Sequence, residues 1–158
     1  MKISEIIQPS TIKLDITVTA RREIISELVG LLHLTGNVTD PAAVVKMVWK
    51  RECEVGTGIG FGVAIPHSDP ANYDRPHLAF GRLKEAADFT APDSIPVRLV
   101  FLLLSPDDQP ALHIRFLARL CRLLKSSALR DRLFAAISPG EAYSAIAAAE
   151  AEYPDLLA

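Results

Sequence analysis

Val97-Arg98-Leu99-Val100-Phe101-Leu102-Leu103-Leu104 reads as a β-strand, and only Arg98 interrupts its apolar run. A strand with one solvated face alternates between apolar and polar residues. This one is apolar on both faces, as a central strand covered by helices on each side must be. Downstream, Ser105-Pro106-Asp107-Asp108-Gln109-Pro110 forms a turn into a helix. Leu112, Phe116, Leu117, Leu120, Leu123 and Leu124 line one side of that helix at its natural period. Upstream, His77 to Leu83 (HLAFGRL) has the residues of a second strand.

The rest of the chain fits the same layering. Thr11 to Leu14 is a short alternating strand. Ile24, Ile25, Leu28, Val29, Leu31 and Leu32 form the face of a helix, with Thr19 as N-cap and Gly36 just past its end. A second helix opens with Asp40 as cap and Pro41 at its first position, turning Val44, Val45, Val48 and Trp49 inward. Ser127 to Ala136 is another helix, and Ser138-Pro139-Gly140-Glu141 is a capping box that opens the last. Interleaved helices and strands predict an α/β fold: a mixed β-sheet with helices packed on both faces, one domain over 1–158.

Composition narrows the function. A net charge of -2 offers no footprint for nucleic acid. Two cysteines, Cys53 and Cys121, make neither a disulfide framework nor a metal-ligand spacing. The N-terminus has Glu5 where a signal peptide would be apolar, and no apolar run approaches the ~20 residues of a membrane span. A cytoplasmic protein without membrane insertion is expected.

The chemistry concentrates in Gly56 to Asp69, GTGIGFGVAIPHSD. Glycines at 56, 58, 60 and 62 relax the backbone, and Pro66 then holds His67 on a stiff support. A Walker loop would end in Gly-Lys-Ser/Thr, and a dinucleotide fingerprint would have glycine where Val63 stands. Neither nucleotide motif fits. A tight loop between helix and strand explains the glycines but not the histidine. His67 falls at the C-terminal end of a short buried strand, Gly62 to Ile65, where α/β proteins hold their sites. Neutral imidazole is a nucleophile near neutral pH. By itself, though, a histidine at a strand end is more often a hydrogen-bonded bystander.

The segment RECEVGTGIGFGVAIPHSD resembles the active-site segment of the IIA proteins of the phosphoenolpyruvate-dependent sugar phosphotransferase system, fructose–mannitol type. That family includes the nitrogen-regulatory IIA proteins. Arg51, Thr57-Gly58-Ile59-Gly60, Gly62-Val63-Ala64-Ile65-Pro66 and His67 follow the family order, and DDQPALHIRFLARLCRLL is similar to its second signature, with the histidine at His113. Gly56 stands for a frequent serine, and Phe61 for a residue that is often polar, which bears on partner fit.

The resemblance implies a phosphotransferase component that is catalytic only as part of a relay. His67 would be the phosphoryl-accepting nucleophile through Nε2, and His113 and Arg51 would help to hold the phosphoryl group. Backbone N–H groups of the loop and the Thr57 hydroxyl, with Gly58 and Gly60, are the expected phosphate-binding elements. Read without the family, Arg51 is a helix C-terminal cation and His113 a solvent-facing helix residue. Arg115, Arg119 and Arg122 form a basic stripe, ordinarily a solvated face. His33 and His77 match no motif position. No cofactor is expected, and the histidines lack carboxylates at metal-ligand spacing. The implied partners are a histidine-containing phosphocarrier protein and either a IIB domain or a regulatory target. The nitrogen-regulatory type is expected; the alternative is a free-standing fructose/mannitol-type IIA subunit passing phosphate to a IIB domain for sugar uptake.

Overall fold

The computed structural model describes residues 1–153; of the single domain expected over 1–158, the last five lie outside the described residues. The elements run α1 (Ile3–Ile6), a 3-10 turn (Pro9–Thr11), β1 (Ile12–Ile16), α2 (Arg21–Leu34), α3 (Pro41–Glu54), β2 (Gly58–Gly60) and β3 (Val63–Ala64). They continue with β4 (His77–Ala87), β5 (Val97–Leu104), α4 (Pro110–Leu124), α5 (Ser127–Ala135) and α6 (Pro139–Ala151).

The strand apolar on both faces takes the central place. The sheet order is β1-β4-β5-β3-β2, with β5 antiparallel to β4 and parallel to β3. Side chains alternate across a strand, so β5 feeds two cores at once. Leu99, Phe101 and Leu103 meet Phe116, Leu120 and Leu124 of α4 and Ile146 of α6. Val100, Leu102 and Leu104 face the opposite way, into Ile24 and Leu28 of α2 and Val44 and Val48 of α3. Burying each such side chain is worth about 1.5–3 kcal/mol, which is why β5 carries almost no polar residue. Phe80 and Phe101, opposite each other on β4 and β5, stack with ring centroids 4.5 Å apart.

Caps and edges show where local signals prevail. Asp40 accepts from Ala43 N–H and Pro41 opens α3, as the sequence predicts. Thr19 does not cap α2: the helix begins at Arg21, with Ala20 in the cap position and no side-chain cap bond. Ser138 caps Glu141 N–H, but the Glu141 carboxylate reaches the N–H of Ile137 rather than that of Ser138. Trp49 is only half-buried and lies under the guanidinium groups of Arg21 and Arg22, at 5.5 and 6.0 Å. The expected arginine stripe is broken. Arg115 and Arg122 are exposed, but Arg119 is buried, donates to the Met1 carbonyl and lies 3.9 Å from Glu150. The tertiary contact with α1 and α6 overrides the surface reading. No helix of the described residues is long and apolar enough to cross a membrane.

One detail of the sheet positions the site. β3 is short, yet the chain after it stays beside β5: Leu103 N–H donates to Pro66 C=O at 3.0 Å, and His67 bridges to Leu103. Proline cannot donate to a ladder, but its carbonyl still accepts. His67 is thereby delivered to the C-terminal end of the central strands.

Candidate active site

The glycine-rich stretch folds as a hairpin, β2 against β3. Its tip is Gly60-Phe61-Gly62, with φ of 96°, 61° and 75°, a left-handed run that two of the three residues adopt freely as glycines. Phe61 is held there by its N–H donating to Asp93 Oδ2 at 2.9 Å, and its exposed ring lies 4.6 Å from the Arg130 guanidinium. Gly56 and Gly58 serve a different need. A Cβ at Gly58 would stand 2.8 Å from the Ala91 Cβ, and one at Gly56 2.7 Å from the Phe89 carbonyl oxygen. Those two glycines let the hairpin lie flat on the 89–91 segment.

Thr57 lies between them, buried, and both its donors go to one carboxylate. Its N–H reaches Glu52 Oε1 at 3.3 Å and its hydroxyl reaches Glu52 Oε2 at 2.5 Å. Glu52 is 1% exposed, and its Oε1 also lies 3.5 Å from Nη1 of the part-exposed Arg21. Of the loop residues expected to bind phosphate, Thr57 is thus taken up by Glu52. Gly58 packs on Ala91, and Gly60 sits at the hairpin tip beside Asp93. The hydrogen bonds of the described residues bring none of the three to the His67 ring.

The two histidines do come together. Their ring centroids are 5.4 Å apart, with planes inclined at 57°. His67 Nδ1 lies 2.8 Å from the Ile65 carbonyl oxygen. A carbonyl only accepts, so Nδ1 carries the proton and the neutral ring keeps its lone pair on Nε2. Burial holds the His67 pKa below the ordinary imidazole value; the Ile65 bond, Glu52 and Asp69 oppose this, while Arg51 adds to it. The ring is therefore neutral at pH 7, in one tautomer.

His113, in the first turn of α4 after Pro110, is buried rather than solvent-facing. Its Nδ1 lies 2.7 Å from Oγ of Ser105, a fully buried residue at the end of β5. When that hydroxyl donates to Nδ1, the neutral ring carries its N–H on Nε2 as a free donor. Burial lowers this pKa as well, and His67 and Arg51 lower it further. Arg51, in the last turn of α3, donates to Val55 C=O at 3.3 Å. It shares a cleft of about 210 Å³ with its neighbour Lys50 and with Ser68 and Asp69, the two residues just after His67. The assembled set is an imidazole with a free Nε2, a second imidazole beside it, and a guanidinium within electrostatic reach. The described residues contain no cluster of three or more His, Cys, Asp or Glu that could hold a metal ion. His33 donates its Nδ1–H to the Val38 carbonyl at 2.8 Å, and the buried His77 pairs with Asp74.

Sequence reading missed Glu52 and Ser105. Both left a signal. Val44, Val48 and Glu52 are the buried residues of α3 and fall at i, i+4 and i+8, so a charged residue stands on a core stripe. Ser105 directly follows a strand apolar on both faces, at the end where sites form.

The family model for the phosphoenolpyruvate-dependent sugar phosphotransferase system, EIIA 2, matches residues 5–149. A nitrogen regulatory protein of Bradyrhizobium diazoefficiens is 34% identical over 148 residues, covering 93% of this chain and 95% of that protein. The fructose-specific EIIABC component of Bacillus subtilis is 36% identical over 138 residues, 87% of this chain, which spans only 22% of that longer protein. Among solved structures, nitrogen regulatory protein IIA-Ntr from Neisseria meningitidis superposes with a TM-score of 0.84 at 33% identity, covering 91% of this chain and 98% of that one. The chain belongs to the EIIA 2 family of the phosphoenolpyruvate-dependent sugar phosphotransferase system.

Proposed function

We propose that His67 is the phosphoryl carrier of this chain, accepting through Nε2 from a phosphohistidine of a histidine-containing phosphocarrier protein. The observation that carries the reading is the 2.8 Å bond from Nδ1–H to the Ile65 carbonyl, which leaves Nε2 as the nucleophile. The Nε2 lone pair forms the new N–P bond as the donor's N–P bond breaks, and the donor ring keeps that electron pair. Nδ1–H stays on His67, so the phosphorylated ring forms as the cation, and the donor ring, which carries a proton on its other nitrogen, leaves as neutral imidazole with no proton exchanged.

The product places a charge of roughly -1.5 to -2 beside the ring. His113 Nε2–H and the Arg51 guanidinium are the groups that hold its oxygens, the arginine by its planar fork. Because both imidazoles are kept neutral by burial, one serves as nucleophile and the other as donor at the same pH. Thr57, with both donors on Glu52, acts behind the loop rather than on the phosphate.

We assign the carrier to the nitrogen-regulatory type, in which the phosphorylated and unphosphorylated surfaces engage different proteins. The 95% coverage of a nitrogen regulatory protein and the fit to IIA-Ntr support this. The second reading is onward transfer to a IIB domain for fructose uptake, favoured by 36% identity to part of a fructose EIIABC component.

Incubation with phosphoenolpyruvate and the general phosphotransferase proteins should add one phosphoryl group, labile in acid and stable in base. His67→Ala should take up none and keep the fold. Normal uptake by that variant overturns the assignment. Discharge of the phosphorylated protein to purified IIB domains then separates the two readings. Loss to one of them as fast as back-transfer to the phosphocarrier makes this a transport subunit.

A further inference from the structure

We propose that Glu52 is a positioning residue for His67, setting the ring through a relay of hydrogen bonds that runs under the hairpin. The inference rests on the carrier reading of His67 for its functional meaning, but the relay itself is geometric. Glu52 takes both donors of Thr57, at 3.3 and 2.5 Å. The Thr57 carbonyl accepts the Ile65 N–H at 3.0 Å, and the Ile65 carbonyl accepts the His67 ring N–H at 2.8 Å. Four residues are thus joined in a line from α3 to the reacting ring.

The coupling is mechanical. The Ile65 N–H and C=O belong to different peptide groups, so what passes through Ile65 is the position of its backbone rather than bond polarisation. The same geometry makes the carbonyl effective. It belongs to the peptide bond before Pro66, a tertiary amide and a strong acceptor, and Pro66 restricts the rotation of Ile65. What remains free is the height of the hairpin strand, and Thr57 sets that height.

A buried carboxylate on the core stripe of α3 is costly unless it is fully hydrogen-bonded. Its oxygens are occupied by Thr57 and Arg21, so it contributes little as a free charge to any ligand. An apolar residue would fill the same space. It would not fix Thr57 by two bonds. Glu52 also acts on His67 electrostatically, favouring the protonated ring in common with Asp69, against Arg51.

The test compares Glu52→Gln, Thr57→Val and Thr57→Ser with the wild type. Glutamine keeps the size but puts an amide N–H where one carboxylate oxygen stood, so that its oxygen accepts from the Thr57 N–H while the Thr57 hydroxyl must turn to accept, and the charge-assisted bond is lost. Three quantities are read: the His67 tautomer, by NMR of isotope-labelled ring nitrogens; the pH at which that ring titrates; and the rate of phosphoryl uptake from the phosphocarrier protein. In Glu52→Gln and Thr57→Val the single Nδ1–H tautomer should give way to a mixture, and uptake should slow by about tenfold, as loss of a near-attack geometry does. Glu52→Gln should also lower the pH of ring titration, which Thr57→Val, retaining the carboxylate, should do less. Thr57→Ser keeps the hydroxyl and should restore the wild-type tautomer and rate.

An unchanged tautomer and rate in either folded variant overturns the proposal. If Glu52→Gln fails to fold, Thr57→Val decides alone. A wild type that takes no phosphate sinks the carrier reading, while the tautomer comparison still decides whether Glu52 positions the ring.

Discussion

Glu52 and Glu150 are two buried carboxylates built almost alike, at 1% and 3% exposure. Each stands on the core stripe of its helix and accepts from backbone N–H and from a hydroxyl, Glu52 from one N–H and Glu150 from two. Glu52 takes both from Thr57, five residues along the chain. Glu150 accepts from Ile3 N–H at 2.6 Å, Ser4 N–H at 3.0 Å and the Ser4 hydroxyl at 2.9 Å, closing α6 onto the N-terminal helix. The partner cations differ too. Arg21 beside Glu52 is part-exposed, whereas Arg119, 3.9 Å from Glu150, is buried and its Nε has no partner among the described residues. One carboxylate shapes a loop locally; the other ties together chain ends. The first therefore matters to geometry at His67, the second to whether the fold holds.

The largest effect should come from breaking the second. Glu150→Ala strips the α1 N–H groups of Ile3 and Ser4 of their carboxylate acceptor and leaves Arg119 as an uncompensated buried charge. That class of change costs about 3–5 kcal/mol. Urea unfolding should show the loss in full, while phosphoryl uptake per folded molecule stays at the wild-type rate. Impaired uptake by the folded fraction would mean that the α1–α6 clamp reaches the site and would end the contrast.

Next come the groups around His67. Arg51→Ala and His113→Ala should each raise the barrier to transfer by ~2–4 kcal/mol, roughly 30- to 1,000-fold in rate. His67 should still be phosphorylated slowly in both. Single-turnover uptake from the phosphocarrier measures this. Wild-type rates would return Arg51 to a helix-end cation and His113 to a packing residue.

How much of this was legible in the sequence follows from which forces are local. The apolar run of β5, interrupted only by Arg98, announces a strand buried on both faces, and the two cores show it. Asp40, Pro41 and Ser138 act within four residues of themselves, so their caps could be read directly. Arg119 could not, because its burial depends on α1 and α6 arriving from the two chain ends. The motif points Gly58 toward a ligand, whereas the packing of Gly56 and Gly58 answers to the 89–91 segment, more than thirty positions away. His67 and His113 were named, but their 5.4 Å approach required the ladder beyond β3 and the turn into α4 to end on the same side.

Ser105 offers a smaller and sharper probe. Ser105→Ala removes the partner of His113 Nδ1 and frees the ring to exchange tautomers, so its Nε2–H is no longer assured. A neutral hydrogen bond of this kind is worth about 1 kcal/mol, so uptake should slow by roughly fivefold. Ring-nitrogen NMR should show a second His113 tautomer. In a His113→Ala background the same change should do nothing further to the rate. If it slows that variant too, Ser105 acts by some route other than the imidazole.

The mildest test is pH. Burial lowers the folded pKa of His67, His113 and His77 from an unfolded value near 6.5. Below 6.5 the unfolded chain then binds more protons than the folded one, so acid favours unfolding. Their contribution is fully present above 6.5 and is lost as pH falls through the lowered folded values. Each histidine can contribute at most about 1.4 kcal/mol per pH unit over that window. Transfer should follow the same titration from the other side. As the proposed carrier, His67 attacks only as neutral imidazole, so more than half of the full uptake rate should remain at pH 6.5, with the decline set by protonation of the buried ring. Uptake rates and urea midpoints measured together across this range give both limbs. A rate that halves at or above pH 6.5 would show His67 to be as solvated as a free imidazole, and would remove the environment that separates this histidine from a bystander.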